Sequence, residues 1–318
     1  MTIHPAVANG SYDVARVRAD FPALALKVYG KPLVYLDNAA SAQKPNAVLQ
    51  RMTDAYTSEY ANVHRGLHYL ANAATEAYEG ARTKVAKFVN ARRNEEIIFT
   101  RNATEAINLV AHAFLRPLLR EGDEILVTEM EHHSNLVPWF LVAKERGAVV
   151  RHIPITDDGR LDLSNLSSLI GNRTKIVTLA HVSNVLGTIN PVAEIAAAAK
   201  RVGARVALDA AQSAPHLLTK VRELGVDAAA LSAHKMLGPT GIGVLWVRPE
   251  LLETMPPYHG GGEMIREVYL DHATFADIPS RFEAGTPNIA GAIAFAAAIE
   301  YLEAIGAEAL QQHERSVM

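Results

Sequence analysis

An α/β fold, with a mostly parallel sheet and helices on both faces, is what this sequence predicts. Short apolar runs alternate with longer segments of helical composition and spacing. Several of the runs end in polar or small residues, as strands feeding one common rim do. The composition permits such a fold, because 318 residues with 49% hydrophobic content can bury a large core, as one large domain or a large one with a smaller companion. The formal charge of −3 is spread over both signs with no long basic run, which argues against nucleic acid or an anionic membrane surface as main partner. No apolar run reaches the ~18 residues of a membrane span, and Met1 to Gly10 lacks the apolar centre of a signal peptide, so a cytoplasmic location is expected. There are no cysteines, which excludes disulfides, thiolate metal sites and a cysteine nucleophile from these residues.

Taken in order, Leu33 to Leu36 is a short apolar strand candidate that ends in Asp37-Asn38-Ala39-Ala40-Ser41, and Asn46 to Tyr60 has helical spacing. His64 and His68 stand four apart, a spacing open to metal ligation on a helix. The intervening Gly66 and the lack of a neighbouring carboxylate favour a loop. Glu76 to Val89 reads as a helix and Glu96 to Thr100 as a strand. Arg101 to Val110 then turns a strand into a helix through a short polar segment. Thr104 at that helix start is either part of an anion site or a plain N-cap. Glu124 to Thr128 is a strand running into Glu131-His132-His133-Ser134-Asn135, where each histidine is either a rim ligand or a solvated loop residue.

The second half repeats the arrangement. Ala148 to Pro154 and Thr174 to Ala180 are strand-like, the latter running into His181-Val182-Ser183-Asn184. Ile195 to Arg201 is an alanine-rich helix, and Arg205 to Asp209 is a strand with a carboxylate at its tip, followed by Gln212. Val226 to Leu231 and Val244 to Val247 read as two core strands, with Ser232, His234 and Lys235 between them. Lysine is costly to desolvate. Lys235 is therefore either an exposed turn residue or a paired, pKa-shifted or carbonyl-bound amine, the last being Schiff-base chemistry.

The predicted rim thus collects Thr104, His132, Asn184, Asp209, Gln212, His234 and Lys235. No strand leads into Gly-x-Gly-x-x-Gly and no Gly-x-x-x-x-Gly-Lys-Ser/Thr occurs, which removes the common dinucleotide and nucleotide motifs. A pyridoxal 5'-phosphate (PLP) site accounts for the set. It needs a lysine for the aldehyde, a carboxylate for the pyridine nitrogen, a flat group against the ring, donors for the ring hydroxyl and an anion cradle for the phosphate.

The strings Glu131-His132-His133-Ser134-Asn135, His181 to Thr188, Asp209-Ala210-Ala211-Gln212 and Ser232-Ala233-His234-Lys235 resemble those of class V aminotransferase-like PLP enzymes, and more closely the SufS/CsdA-type cysteine desulfurases. The likeness runs from about Val17 to the end of the chain and takes in Asp37 to Pro45 and Arg281 to Asn288. It implies the PLP-dependent transferase fold type I, with an N-terminal segment 1–25, a large PLP-binding domain 26–288 and the start of a small domain at 289–318. It implies further that Lys235 holds PLP and acts as a catalytic residue together with His132, which stacks on the ring. Asp209 would pair with the pyridinium, Gln212 with the ring oxygen, and Thr104, Ser232 and His234 with the phosphate. Asn184 would lie near the substrate carboxylate. Thr286 would reach the phosphate of a partner subunit and Gly260-Gly261-Gly262 would border that site, so a homodimer is expected.

The implied reaction converts L-cysteine to L-alanine and leaves a persulfide on an enzyme thiol, for a sulfur-acceptor protein of iron–sulfur assembly. The family's nucleophilic cysteine and substrate-clamping arginine belong to the small domain, beyond Met318. The chain is expected to be a family member lacking most of that domain, with Ala292, Phe295, Ile299 and Leu302 forming an apolar stripe that needs cover. A PLP-binding fragment without catalysis and a selenocysteine lyase-type enzyme are the alternatives. No metal is expected.

Overall fold

The computed structural model describes residues 3–8, 10–217 and 219–317. Seven strands form the central sheet: β1 Ile97–Thr100, β2 Glu124–Thr128, β3 Val149–Ile153, β4 Thr174–Ala180, β5 Arg205–Asp209, β6 Ala228–Ser232 and β7 Gly243–Val247. Their spatial order is β1-β7-β6-β5-β4-β2-β3, and only β7 runs antiparallel to its neighbours. The parallel strands therefore deliver their C-terminal ends to one rim, which is where open α/β sheets place ligands.

Helices cover both faces because the strands alternate. Ile97, Phe99 and Leu126 face a core shared with α1 Asn46–Ser58, α2 Tyr69–Phe88, the Val192–Arg201 helix and the Ile289–Ile305 helix. Ile98, Ile125 and Val127 face a second core built with α3 Ala103–Leu109 and α4 Val137–Arg146. Chain order then gives α5 to Val192–Arg201, α6 to Ile289–Ile305 and α7 to Ala307–Val317. No single described helix is long and apolar enough to cross a membrane.

Most expected elements are present, with shifted ends. Helix α2 begins at Tyr69 rather than Glu76, because the His68 ring accepts the Ala71 N–H and caps it from outside the apolar pattern. The Leu33 to Leu36 strand does not form. Lys31–Pro32 pairs with Lys27–Val28 in a small hairpin, while Val34 and Leu36 are exposed and pair with no strand. The apolar stripe on α6 is not bare: Ala292, Phe295 and Ile299 are fully buried against α1, α2 and the sheet, and Leu302 packs beside them.

One close approach positions the site. Gly243, first residue of β7, lies so near the start of α3 that a Cβ there would come within 2.5 Å of the Asn102 Cα. A side chain at this position would push α3 off the rim.

Candidate active site

Lys235 closes the short turn Ala233–Lys235 that follows β6, so the chain carries it to the rim before a loop returns it into β7 at Gly243. It is half-buried, not a free turn lysine. Burial lowers the proton affinity of its amine, partly offset by the negative charge of Asp209. Asp209 ends β5 and is buried; its Oδ1 accepts the Ala211 N–H at 2.9 Å. Burial pushes its carboxyl up, against the pull of that hydrogen bond and of Lys235. No lysine, arginine or histidine among the described residues lies within ion-pair distance of it.

His132 follows β2. The Ser134 N–H donates to its Nδ1 at 3.1 Å, which leaves Nε2 as the protonated nitrogen of the neutral ring, and burial beside Lys235 favours that neutral form. Ser232 ends β6 and its hydroxyl accepts the Ala103 N–H at 2.9 Å, fastening the first residue of α3 to the sheet. The cap of α3 is Asn102, whose side chain accepts the Glu105 N–H at 2.9 Å. Thr104 is therefore free of a capping role, and its exposed hydroxyl faces the cavity. Gln212 donates to the Ala39 carbonyl at 2.8 Å, and the His234 ring lies 3.3 Å from the Ser41 hydroxyl. These contacts hold the segment from Asp37 to Ala42 across the rim.

A cavity of about 510 Å³ is lined by Thr104, His132, Asn184, Asp209, Gln212, Ser232, His234 and Lys235, among others. Thr286 is not brought there. It lines a separate cavity of about 400 Å³ with Arg101, Glu105, Tyr258 and Glu283. His133 is exposed and does not line the first cavity. The His64 and His68 pair lies in a loop, His64 3.1 Å from Glu79 and His68 capping α2, and no metal-ligand cluster occurs among the described residues.

Sequence reasoning passed over what lies behind this wall. Glu131 is buried, and its carboxylate accepts from the Thr128 hydroxyl at 2.5 Å, the Ala180 N–H at 2.9 Å and the Asn135 amide at 2.6 Å. Burial pushes its carboxyl up to about 7, against the pull of these donors. The only signal was its place immediately before His132. Lys44 donates to the Ala42 and His234 carbonyls, a tie between segments far apart in sequence.

The donor set fits PLP: a buried carboxylate with no cation within ion-pair distance among the described residues, a half-buried primary amine, a flat neutral imidazole, and hydroxyl and amide groups at Thr104 and Asn184. The comparisons agree. The aminotransferase class-V family profile matches residues 34–318. A cysteine desulfurase of Dickeya dadantii is 52% identical over 308 residues, covering 96% of this chain and 75% of the relative. The crystal structure of cysteine desulfurase CsdA from Escherichia coli superposes with a TM-score of 0.84 at 42% identity, over 94% of this chain and 74% of that one. A C-DES variant with glycine covalently linked to its PLP cofactor gives a TM-score of 0.80 at 26% identity, over 94% and 78%. The family profile, the identity and the shared sheet together place this chain in the class-V aminotransferase family, on its cysteine desulfurase branch.

Proposed function

We propose that this chain binds PLP at Lys235 and uses it to take sulfur from L-cysteine, releasing L-alanine. The observation that carries the reading is the meeting of Lys235, Asp209 and His132 in one cavity, from three different strand ends. When bound, PLP supplies an electron sink for the carbon that bears the amino group.

The residues divide the remaining work. Asp209, buried and without a cationic partner of its own among the described residues, holds a proton on the ring nitrogen. The neutral His132 ring supplies a flat face against the pyridine. Thr104, Ser232 and His234 would hold the phosphate, and the Gln212 amide would serve the ring oxygen. Asn184, on the loop after β4, lines the same cavity and would meet the substrate carboxylate. Burial lowers the proton affinity of the Lys235 Nζ, which keeps more of it as the free amine that takes the Cα proton.

Sulfur leaves when a thiolate attacks the substrate sulfur: the S–S bond forms, the C–S bond breaks, and the carbon takes the proton that completes alanine. The 318 residues contain no cysteine, so that thiol is assigned to a group outside them. A homodimer and a sulfur-acceptor protein of iron–sulfur assembly complete the proposal. Supporting the dimer, Thr286 lines a cavity of its own, and Leu67 and Leu270 are fully exposed apolar side chains.

The test is PLP addition followed by desalting and a visible spectrum. The expected result is a retained band that borohydride removes, with the added mass on the peptide bearing Lys235, and no retained band in Lys235→Ala. A band that survives that substitution would overturn the assignment. Turnover is read separately, as alanine formed from L-cysteine with dithiothreitol as thiol.

A further inference from the structure

Glu131 and Asn135 are four residues apart and face each other across the turn that carries His132. Their contact at 2.6 Å closes that turn from behind, while the Asn135 N–H donates to the His132 carbonyl at 2.8 Å. Hydrogen polarity in the knot is forced. The Trp139 indole N–H can only donate, and it lies 3.0 Å from the Asn135 Oδ1, which also takes the Thr178 hydroxyl at 2.7 Å. The Asn135 amide NH₂ therefore points at Glu131, whose two oxygens, once ionised, receive three donors and give none. Through the Ala180 N–H the same carboxylate grips the end of β4, and the chain continues from there to Val182 and Asn184 on the cavity wall.

We propose that Glu131 is a positioning residue, which fixes the His132 ring and the Ala180 to Asn184 wall relative to each other as two adjoining parts of the cavity that holds PLP. The inference rests on reading the cavity as a PLP site. It predicts that hydrogen-bond polarity in the knot, beyond mere filling of space, governs how PLP sits. Glu131→Gln keeps the shape but turns an NH₂ toward a donor. Glu131→Gln combined with Asn135→Asp restores every contact with the polarity reversed, because the carboxylate introduced at position 135 can accept from the amide introduced at position 131, from Trp139 and from Thr178 together.

The experiment titrates PLP into wild type, Glu131→Gln and the double variant at pH 8, following the visible band and its induced circular dichroism, with a melting temperature for each. The expected result is at least fivefold weaker PLP binding and a diminished dichroic band in Glu131→Gln, with recovery to within twofold in the double variant. Wild-type affinity and dichroism in Glu131→Gln would overturn the proposal even if its melting temperature fell. A double variant that recovers the melting temperature but not the dichroism would overturn it too, leaving Glu131 a structural role alone. Should Glu131→Gln not fold, Thr128→Val removes one donor at nearly constant volume, and the same comparison is made with it: weakened dichroism supports the proposal and an unchanged signal overturns it. Failure of the wild type to hold PLP, with no difference from Lys235→Ala, would overturn the reading of the cavity and this inference with it. Failure confined to the Glu131 comparisons leaves that reading intact.

Discussion

Where the parallel strands begin, carboxylates are paired. Glu124 lies 3.3 Å from Arg151 and 3.0 Å from Arg173, Asp123 3.3 Å from Lys175, and Asp227 3.6 Å from Arg205 and 3.4 Å from Arg248. Where the same strands end, Asp209 and Glu131 are as well buried but have no such cation among the described residues, and burial pushes both carboxyls up. The first set is arranged for the fold and neutralised within it. The second is buried without such neutralisation, Asp209 on the cavity wall and Glu131 behind it with three hydrogen-bond donors, at a cost in stability that a paired carboxylate does not carry.

Substitutions at the two ends separate these roles, and the largest effect is expected at Asp209. Asp209→Asn removes the proposed partner of the ring nitrogen and is expected to cost about 2–5 kcal/mol of PLP affinity, the scale for breaking one side of a buried charge pair. The melting temperature without PLP should hold or rise. Fluorescence titration beside thermal unfolding checks both, and a falling melting temperature at unchanged affinity would put Asp209 with the paired set.

Glu131 comes next, through pH. Its carboxyl is raised from 4.5 to about 7 in the fold, so below pH 4.5 both states hold the proton. As pH rises from 4.5 to 7 the unfolded chain releases it first, and stability is lost across that window, by on the order of 3 kcal/mol. Urea unfolding of the PLP-free protein at successive pH values should show this slope in the wild type and not in Glu131→Gln.

Asp227→Asn should do the reverse of Asp209→Asn. It accepts the Val206 N–H at 2.9 Å as well as facing two arginines, and its loss is expected to destabilise by about 1–2 kcal/mol, since those arginines are partly exposed. PLP affinity should not change. A shift in affinity would show that the two ends of the sheet are coupled.

The smallest effect is expected at Glu79, an outlying carboxylate on α2. Burial, which raises its carboxyl, is outweighed by hydrogen bonds from His64 and Arg82, which bring it down to about 2. Its contribution is present above pH 4.5 and lost as pH falls toward 2. At 40% exposure it is screened, so Glu79→Gln should remove less than about 1 kcal/mol, read as a reduced acid-side slope in the same unfolding series.

Much of this was legible in the chain. Strand β4 and strand β5 coincide with the runs read from sequence, because a strand buried on both faces is mostly apolar through its middle and carries its charged residues, Lys175, Arg205 and Asp209, toward its ends. That placement is also why Asp209 and Lys235 could be named as rim residues. The Leu33 to Leu36 segment misled, since an apolar run forms a strand only where another strand pairs with it. The start of α2 misled as well, its cap being a histidine outside the usual set.

Local pattern by itself therefore determined the α/β class, the approximate places of the seven sheet strands and the strand-end residues, since period and polarity are properties of neighbours in sequence. Only the tertiary structure decided that Thr286 lines a cavity apart from Lys235, that the α6 stripe is covered, and that Asn102 rather than Thr104 caps α3. It alone joined Glu131 to Ala180 and Lys44 to His234. Such contacts satisfy polar groups that no neighbour in sequence can reach, and which groups those are follows from the packing of whole elements, not from the pattern within any one of them.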